Sequence, residues 1–373
     1  MKLLAQICRI LVGVLFIFSG LIKANDPLGF SYKLDEYFSV FGTEFMVPFS
    51  LFLAIFICAY EIIFGIMLLL GSRIVLTVWA LFLMIVFFTF LTFYSAYYDK
   101  VKECGCFGDF LHLTPWQSFY KDVALFVMIL VLLVGKKFIS PLLSGGIEKF
   151  LVGMGVVASV LFPLYTYNFL PVKDFRPYAI GKNIQEGMVL PPNAVTDSIQ
   201  MVFVYEKDGK QVELTPEQIK TIDSTYKYVD RRDKVIREGD HPAIHDFSIQ
   251  SVDGDDYTEQ ILNYSGYYFF LVCYDLDKTS QGAFGKVMDF AKLCRVDGVP
   301  IIVLTASSDR IESFKKETDA ESLDFYLTDQ TTLKTMIRSN PGLMLLKKGT
   351  VIEMWHHHSF PSYTDVRSKY FSK

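Results

Sequence analysis

The stretch Ile74–Tyr98, IVLTVWALFLMIVFFTFLTFYSAYY, carries no Asp, Glu, Lys or Arg and ends on Tyr94, Tyr97 and Tyr98. At about 1.5 Å per residue it spans the roughly 30 Å hydrocarbon core of a bilayer, and its terminal tyrosines suit the membrane–water interface. It predicts a transmembrane helix. Four further stretches read the same way. Residues 4–22 are apolar except for Arg9, and residues 45–72 carry a single charge, Glu61. Residues 114–135 open on Thr114-Pro115, a helix cap followed by proline in the first turn. Residues 150–172 contain Pro163, which neighbouring helices accommodate in a membrane bundle. The first stretch follows Lys2 in the manner of a signal peptide, but Arg9 interrupts it and no small-x-small cleavage site precedes Lys23. It reads as a retained helix.

An odd number of crossings puts the 23–45 loop, the loop before Thr114 and everything after Val172 on one face of the membrane. The basic residues barely choose the compartment. Lys2, Arg9, Arg73, Lys136, Lys137 and Lys149 lie on one side, and Lys23, Lys33, Lys100, Lys102, Lys173 and Arg176 on the other. The Lys136-Lys137 pair and the absence of a cleaved signal favour a cytoplasmic N-terminus in a bacterial inner membrane. The soluble half is then periplasmic. Composition agrees with this class: 51% of the 373 residues are hydrophobic and the net charge is -4, which gives no reason to expect nucleic-acid binding.

In the loop before the fourth span stands Cys104-Gly105-Cys106-Phe107-Gly108. Two thiols one residue apart form a strained, easily reduced disulfide, so the pair points to redox exchange or soft-metal capture rather than to stapling. Glycine between them lets the backbone fold tightly enough for the sulfurs to meet. Glu61 lies inside a span, where a carboxylate is costly and functional by default. Counted inward at 1.5 Å per residue, Glu61 and Arg9 fall within roughly 9–15 Å of the same face. An Arg9–Glu61 pair and a proton-handling role are therefore both expected, and they are compatible. Lys23, Asp26, Asp109, Lys121 and Asp122 share the thiol face, where a lysine can raise the thiolate fraction of a cysteine or anchor the chain at the interface. The run His356-His357-His358 invites a metal reading, but neighbours on a strand point to opposite sides, so a solvated strand end is the expectation. The many Phe residues suit a quinone or lipid pocket, and lipid-facing packing explains them equally.

Beyond Val172 the pattern shifts to short alternating runs. Residues 201–205 and 211–214 flank a Lys-Asp-Gly-Lys turn as a hairpin, and Thr215-Pro216 caps a short helix. Residues 173–240 thus form a small α+β connector. From 241 to 373 strands alternate with helices: strands at 244–249, 267–274 and 299–305, helices at about 279–295 and after Ser308, and a hairpin of 342–346 with 351–355. Such alternation predicts a sheet covered on both faces.

The first spans, with Arg9, Phe18-Ser19-Gly20-Leu21-Ile22-Lys23, Glu61 and the Cys-Gly-Cys-Phe-Gly loop, resemble the DoxX-like and methylamine-utilisation MauE-like family of redox-associated membrane proteins. The resemblance covers about residues 4–135 and implies a helical bundle in periplasmic thiol or quinone-linked redox work. Membrane thiol oxidases of that kind relay electrons through two cysteine pairs, whereas this chain offers one, with Cys8 and Cys58 isolated. Residues 241–373, through Asp246-Phe247-Ser248, Val252-Asp253-Gly254 and Asn340-Pro341, resemble the thioredoxin-like fold of peroxiredoxin and thiol-reductase relatives. That resemblance implies a cis Pro341. Where such a domain carries Cys-x-x-Cys, this chain reads Tyr274-Asp275-Leu276-Asp277-Lys278-Thr279. Cys273 and Cys294 read as buried structural thiols.

The sequence thus predicts a multidomain protein, an α-helical transmembrane bundle of about five helices (1–172) joined through the connector to an α/β thioredoxin-like domain. The leading function is redox cycling of Cys104 and Cys106, with a quinone or a periplasmic partner protein as the other redox partner. Asp275, Lys278 and Pro341 would form a groove that docks a client. The competing reading is a non-enzymatic assembly factor with a soft-metal site at Cys-Gly-Cys. Membrane lipid is expected around the bundle in either case.

Overall fold

The computed structural model describes the whole chain apart from residues 102–104, 106, 112, 191, 193, 196, 197, 208, 238, 372 and 373. Five helices are long and apolar enough to cross a membrane. In chain order the bundle comprises α1 (Lys2–Asn25), α2 (Pro27–Val40), α3 (Ser50–Leu70, led in by the 3-10 turn Glu44–Phe49), α4 (Ile74–Tyr98), α5 (Pro115–Gly135) and α6 (Gly145–Asn168). Four of them share one core: Val12 and Phe16 of α1, Leu68 of α3, Leu81 and Ile85 of α4, and Ile129 and Leu132 of α5. Large apolar side chains such as Phe52, Leu83, Phe87 and Phe150 point outward, as lipid contact requires. Thr114 caps α5 with Gln117 in a reciprocal capping box, and proline follows in the first turn.

Close approach of α1 to α3 depends on glycine. A Cβ on Gly13 would sit 2.6 Å from Leu69, one on Gly20 2.7 Å from Ile62, and one on Gly65 2.7 Å from Ile17. Small residues at such crossings let membrane helices pack by van der Waals contact where no hydrophobic driving force exists between them. The segment read as a loop between the first two spans is instead α2. Asp26 accepts a hydrogen bond from Gly29 N at its start and Pro27 occupies the first turn.

The chain divides into two compact units, Asn183–Phe247 on the one hand and Met1–Lys182 with Ser248–Lys373 on the other. The smaller unit contains α7 (Ile184–Gly187), β1 (Ser198–Lys207), β2 (Lys210–Leu214), α8 (Pro216–Ile219) and β3 (Lys227–Arg237). Its sheet is antiparallel in the order β2-β1-β3. The β1–β2 hairpin and the Thr215 capping box match the sequence expectation. β3 was not expected, because its Asp230-Arg231-Arg232-Asp233 run hides the alternation of a strand.

The α/β half of the larger unit holds α9 (Thr258–Leu262), β4 (Tyr267–Val272), α10 (Gln281–Val296), β5 (Ile301–Thr305), α11 (Ile311–Thr318), β6 (Asp324–Leu327), α12 (Gln330–Met336), β7 (Gly342–Lys347), β8 (Thr350–His356) and α13 (Tyr363–Val366). Strand order is β6-β5-β4-β7-β8, with β4, β5 and β6 parallel and β7 and β8 antiparallel to their neighbours. Phe269 and Leu271 of β4 enter a core with Phe284 of α10 and Phe314 of α11. Phe270 and Val272, on the opposite face, are buried too, so both faces of the sheet are covered. The Asn340–Pro341 peptide is cis. Residues 244–249 form no strand. Ile249 N donates to Thr258 Oγ1, and Gln250 makes isolated bridges to Asp256 and Leu327.

Candidate functional site

α1 and α3 bring a buried ion pair together. Lys23 Nζ lies 2.5 Å from Glu61 Oε1, and the two side chains are 2% and 4% exposed. The rings of Phe30 and Phe88 stand 5.2 and 5.3 Å from the ammonium, close enough for cation–π attraction. Among the described residues Glu61 Oε2 has no hydrogen-bond partner. A buried acceptor left open in this way costs on the order of 1–3 kcal/mol.

Arg9 is not the partner of Glu61, contrary to the expectation from depth. Its Nε donates to Leu68 O at 3.0 Å and its Nη2 to Leu69 O at 2.7 Å. Arg9 thus supplies a donor to Leu69 O and a second one to Leu68 O, which also accepts Gly71 N, at the C-terminal end of α3, where a cation is favoured by the helix dipole. Leu68 lies seven residues beyond Glu61, about 10 Å along the helix axis. Counting from the membrane face gave two similar depths, but the register of α1 against α3 delivers Lys23 to Glu61 instead.

Cys104 and Cys106 lie outside the described residues, but several of their neighbours are described. Gly105 has φ +68°, and a Cβ there would come 3.3 Å from Lys33 Cγ of α2. The Phe107 ring centroid is 6.0 Å from that of Phe18, and Lys121 Nζ lies 5.0 Å from it. Asp109 Oδ2 is 3.6 Å from Arg338 Nη2. Asp122, expected on this face, is buried, accepts from Thr92 Oγ1 at 3.0 Å and lies 3.0 Å from Lys121 Nζ.

Arg338 joins the α/β half to the bundle. Its Nε contacts Asp26 Oδ1 at 3.0 Å and Oδ2 at 2.8 Å, and its guanidinium lies 5.6 Å from the Tyr32 ring. Lys334 Nζ stands 4.8 Å from the same ring, and Tyr32 OH lies 3.4 Å from Tyr274 OH. Asn25 exchanges two hydrogen bonds with the Lys173 backbone, and the buried Arg176 pairs with Asp174 at 2.6 Å and donates to Thr335 O. Burial alone would raise the Asp26 carboxyl, but Arg338, Arg176 and the Gly29 N–H outweigh it and hold the group below the usual carboxylate range. Burial works against the Arg338 cation as well, and Asp26 with Asp109 keeps its pKa above the ordinary value.

Asp275, Lys278 and Pro341 do come together, yet their polar groups are engaged locally. Asp275 caps the turn Leu276–Lys278 and its Oδ2 lies 3.0 Å from Lys278 Nζ, while Asn340 Nδ2 donates to Asp275 O at 2.7 Å. Pro341 is buried. The neighbouring Tyr274 faces α2 rather than an open groove. Sequence reasoning missed Arg338, which sits 312 positions from Asp26 with no local signal. It also missed α2, although Asp26-Pro27 repeats the cap-plus-proline signature read at Thr114-Pro115.

Residues 1–135 match the family model of methylamine utilisation protein MauE, and residues 199–238 match a domain of unknown function (DUF8463). The first match runs from α1 through α5. This part of the chain is therefore MauE-like and membrane-embedded, and it includes Lys23, Asp26, Glu61 and Asp109. Arg338 lies outside it. No curated protein and no solved structure matches the chain.

Proposed function

We propose that this chain is a membrane-embedded thiol–disulfide redox protein whose exchanging pair is Cys104 and Cys106, working at the periplasmic face of a bacterial inner membrane. The observation that carries the reading is the Arg338 bridge. One guanidinium engages both Asp26, at the mouth of the bundle, and Asp109, three residues past Cys106. The loop that carries the thiols is thereby tied to a folded domain at one end and backed by Lys33 and Phe30 of α2 at Gly105. Exchange through a mixed disulfide needs a thiol pair presented to its partner, and anchoring at Asp109 with backing at Gly105 supports that reading of the loop.

The balanced step oxidises two thiols to a disulfide with loss of two electrons and two protons. A quinone, reduced to the quinol, is the acceptor class that takes both. In this reading Glu61, whose Oε2 is open among the described residues, relays one of those protons on to the quinone and ends as it began, with Lys23 holding its other carboxylate oxygen. In this reading the α/β half, with strand order β6-β5-β4-β7-β8 and a cis Asn340–Pro341 peptide, is a thioredoxin-like module. Its dithiol position is occupied by Tyr274–Thr279, and in this reading it serves as a docking module that grips the thiol loop of its own chain. The fusion then supplies fold and thiols from two different halves.

Alkylation trapping in native membranes tests the reading. The pair is expected to be found partly oxidised, Cys106→Ser to shift the thiol state of partner proteins, and Arg338→Ala to change the labelling rate of Cys104 severalfold. A pair that is always reduced, with partner thiols indifferent to Cys106→Ser, overturns it. Tight stoichiometric copper(I) binding lost in Cys104→Ser would then make the chain a soft-metal assembly factor.

A further inference from the structure

The run His356-His357-His358 does not continue β8. The strand ends at His356 and the chain turns through a 3-10 segment, His357–Ser359, so strand alternation no longer separates the side chains. The turn stacks the three imidazoles, with ring centroids 4.1 to 4.8 Å apart. One nitrogen from each ring lies within 4.8 Å of the others. His356 is buried, His357 partly so, and His358 is exposed. The solvated strand end expected from the sequence is therefore replaced by a compact cluster.

Hydrogen bonding fixes the tautomers. His358 Nδ1 lies 2.8 Å from the carbonyl oxygen of Asn168, which can only accept, so Nδ1 carries the proton and Nε2 keeps a lone pair. His357 Nδ1 lies 3.0 Å from Ser339 Oγ. That hydroxyl spends its proton on Pro341 O at 2.6 Å and accepts the His357 amide at 2.9 Å. His357 Nδ1 must therefore donate, which leaves its Nε2 bare as well. His356 differs, because its Nδ1 accepts the His358 amide at 3.2 Å and its proton sits on Nε2. Histidines that ligate metals as a rule donate the other ring N–H to a carbonyl or similar acceptor, which sets the ring orientation and raises ligand basicity. His357 and His358 both carry that arrangement already.

We propose that His357 and His358 form a divalent transition-metal site through their Nε2 atoms, with the His356 ring stacked behind them. Imidazole donors without a thiolate suit Zn²⁺, Cu²⁺ and Ni²⁺ and disfavour Mg²⁺ and Ca²⁺, whose ligands are oxygens. Ligand nitrogens about 2.0–2.1 Å from an ion sit roughly 3.3 Å apart, and the three rings already bring a nitrogen each within 4.8 Å of one another. Water or an incoming donor completes the coordination. The site lies where the end of α6, through Asn168, meets the Ser339-Pro341 segment ahead of β7. An ion on His358 Nε2 would polarise the Nδ1–H that the same ring donates to Asn168 O at the end of α6.

Titration of the full chain in detergent with ZnCl₂, and separately with NiCl₂, tests this against a His357→Gln/His358→Gln variant and the single His358→Gln. The difference between chains counts the histidine site alone, so metal held by thiols drops out. The wild type is expected to bind one equivalent more than the double variant, His358→Gln at least tenfold more weakly than wild type, and Mg²⁺ to give no difference. Zinc should also raise the melting temperature of the wild type above its shift in the variant, since a ligand of the folded state stabilises it by mass action. Because His358 is exposed, the single variant should melt with the wild type when metal is absent. Equal stoichiometry in wild type and double variant, or equal affinity in wild type and His358→Gln, overturns the proposal.

Discussion

Inside the bundle stand Arg9, Lys23, Glu61 and Asp122, each held by a named partner, whereas the sheet core between β4 and α10 is built from Phe269, Leu271, Phe284, Phe314 and Cys294. The two halves meet different solvents. In lipid, burying an apolar side chain gains little, so close glycine contacts and polar pairs specify which helix faces go together. In water, apolar burial is itself the driving force, and charge is kept out of the core. A buried charge in the bundle thus carries positional information, and a buried side chain in the α/β half carries volume. The buried thiols of the α/β half serve as volume too. Burial pushes the Cys273 thiol up, and burial with Asp297 nearby pushes Cys294 up to about 12, so both are inert packing groups.

The seam between the two halves should show the largest effect. Arg338→Ala leaves two carboxylates, Asp26 and Asp109, without their shared cation, and removing one member of a buried pair costs about 3–5 kcal/mol. The expected result is a lower melting temperature with new protease sensitivity in the 169–182 segment, read by limited proteolysis in detergent. Next in size is Lys23→Met, which strands Glu61 alone. Its cost, about 3 kcal/mol on the same grounds, should be largely recovered in Lys23→Met/Glu61→Met, where an apolar pair replaces the ions. A double variant no more stable than the single one would mean that Glu61 is held by something besides Lys23.

Acid loosens the seam more gently. The folded Asp26 carboxyl is held below the unfolded value of about 3.9, so on acidification the unfolded chain takes up its proton first. The stability contributed by the seam is whole above that unfolded value and is lost as pH falls through the lower folded one. Tryptophan fluorescence from pH 7 down to pH 2 should show this loss, and Asp26→Asn should flatten it while lowering stability at neutral pH. The smallest effect belongs to Cys294→Ala, which removes one buried sulfur for about 1 kcal/mol. Maleimide at pH 8 should label neither Cys273 nor Cys294 until the α/β half is unfolded.

The membrane spans were legible because length and apolar content decide them. Ile74–Tyr98 is found to the residue, and Thr114-Pro115 fixes the start of α5. The central strands were legible for the same reason, as short apolar runs between turn signals. The partners of charges were not legible. Arg9 and Glu61 looked equally deep, but pairing depends on which faces of α1 and α3 meet, and that is settled by glycines spread over both helices. Arg338 meets Asp26 through tertiary folding alone. The histidine run was not legible because β8 ends at His356, and strand alternation does not govern the two histidines of the turn that follows.

The glycine contacts between α1 and α3 have a mechanical consequence. With Leu69, Ile62 and Ile17 seated directly on Gly13, Gly20 and Gly65, neither helix can screw past the other without lifting a knob out of its socket. The ammonium and the carboxylate are thus mounted on one rigid frame. Any parting of the two must come from side-chain rotation, which runs in picoseconds to nanoseconds when unhindered, rather than from helix register shifts of microseconds to milliseconds. Opening of this pair is timed by the rotamers of two residues and the aromatic walls around them.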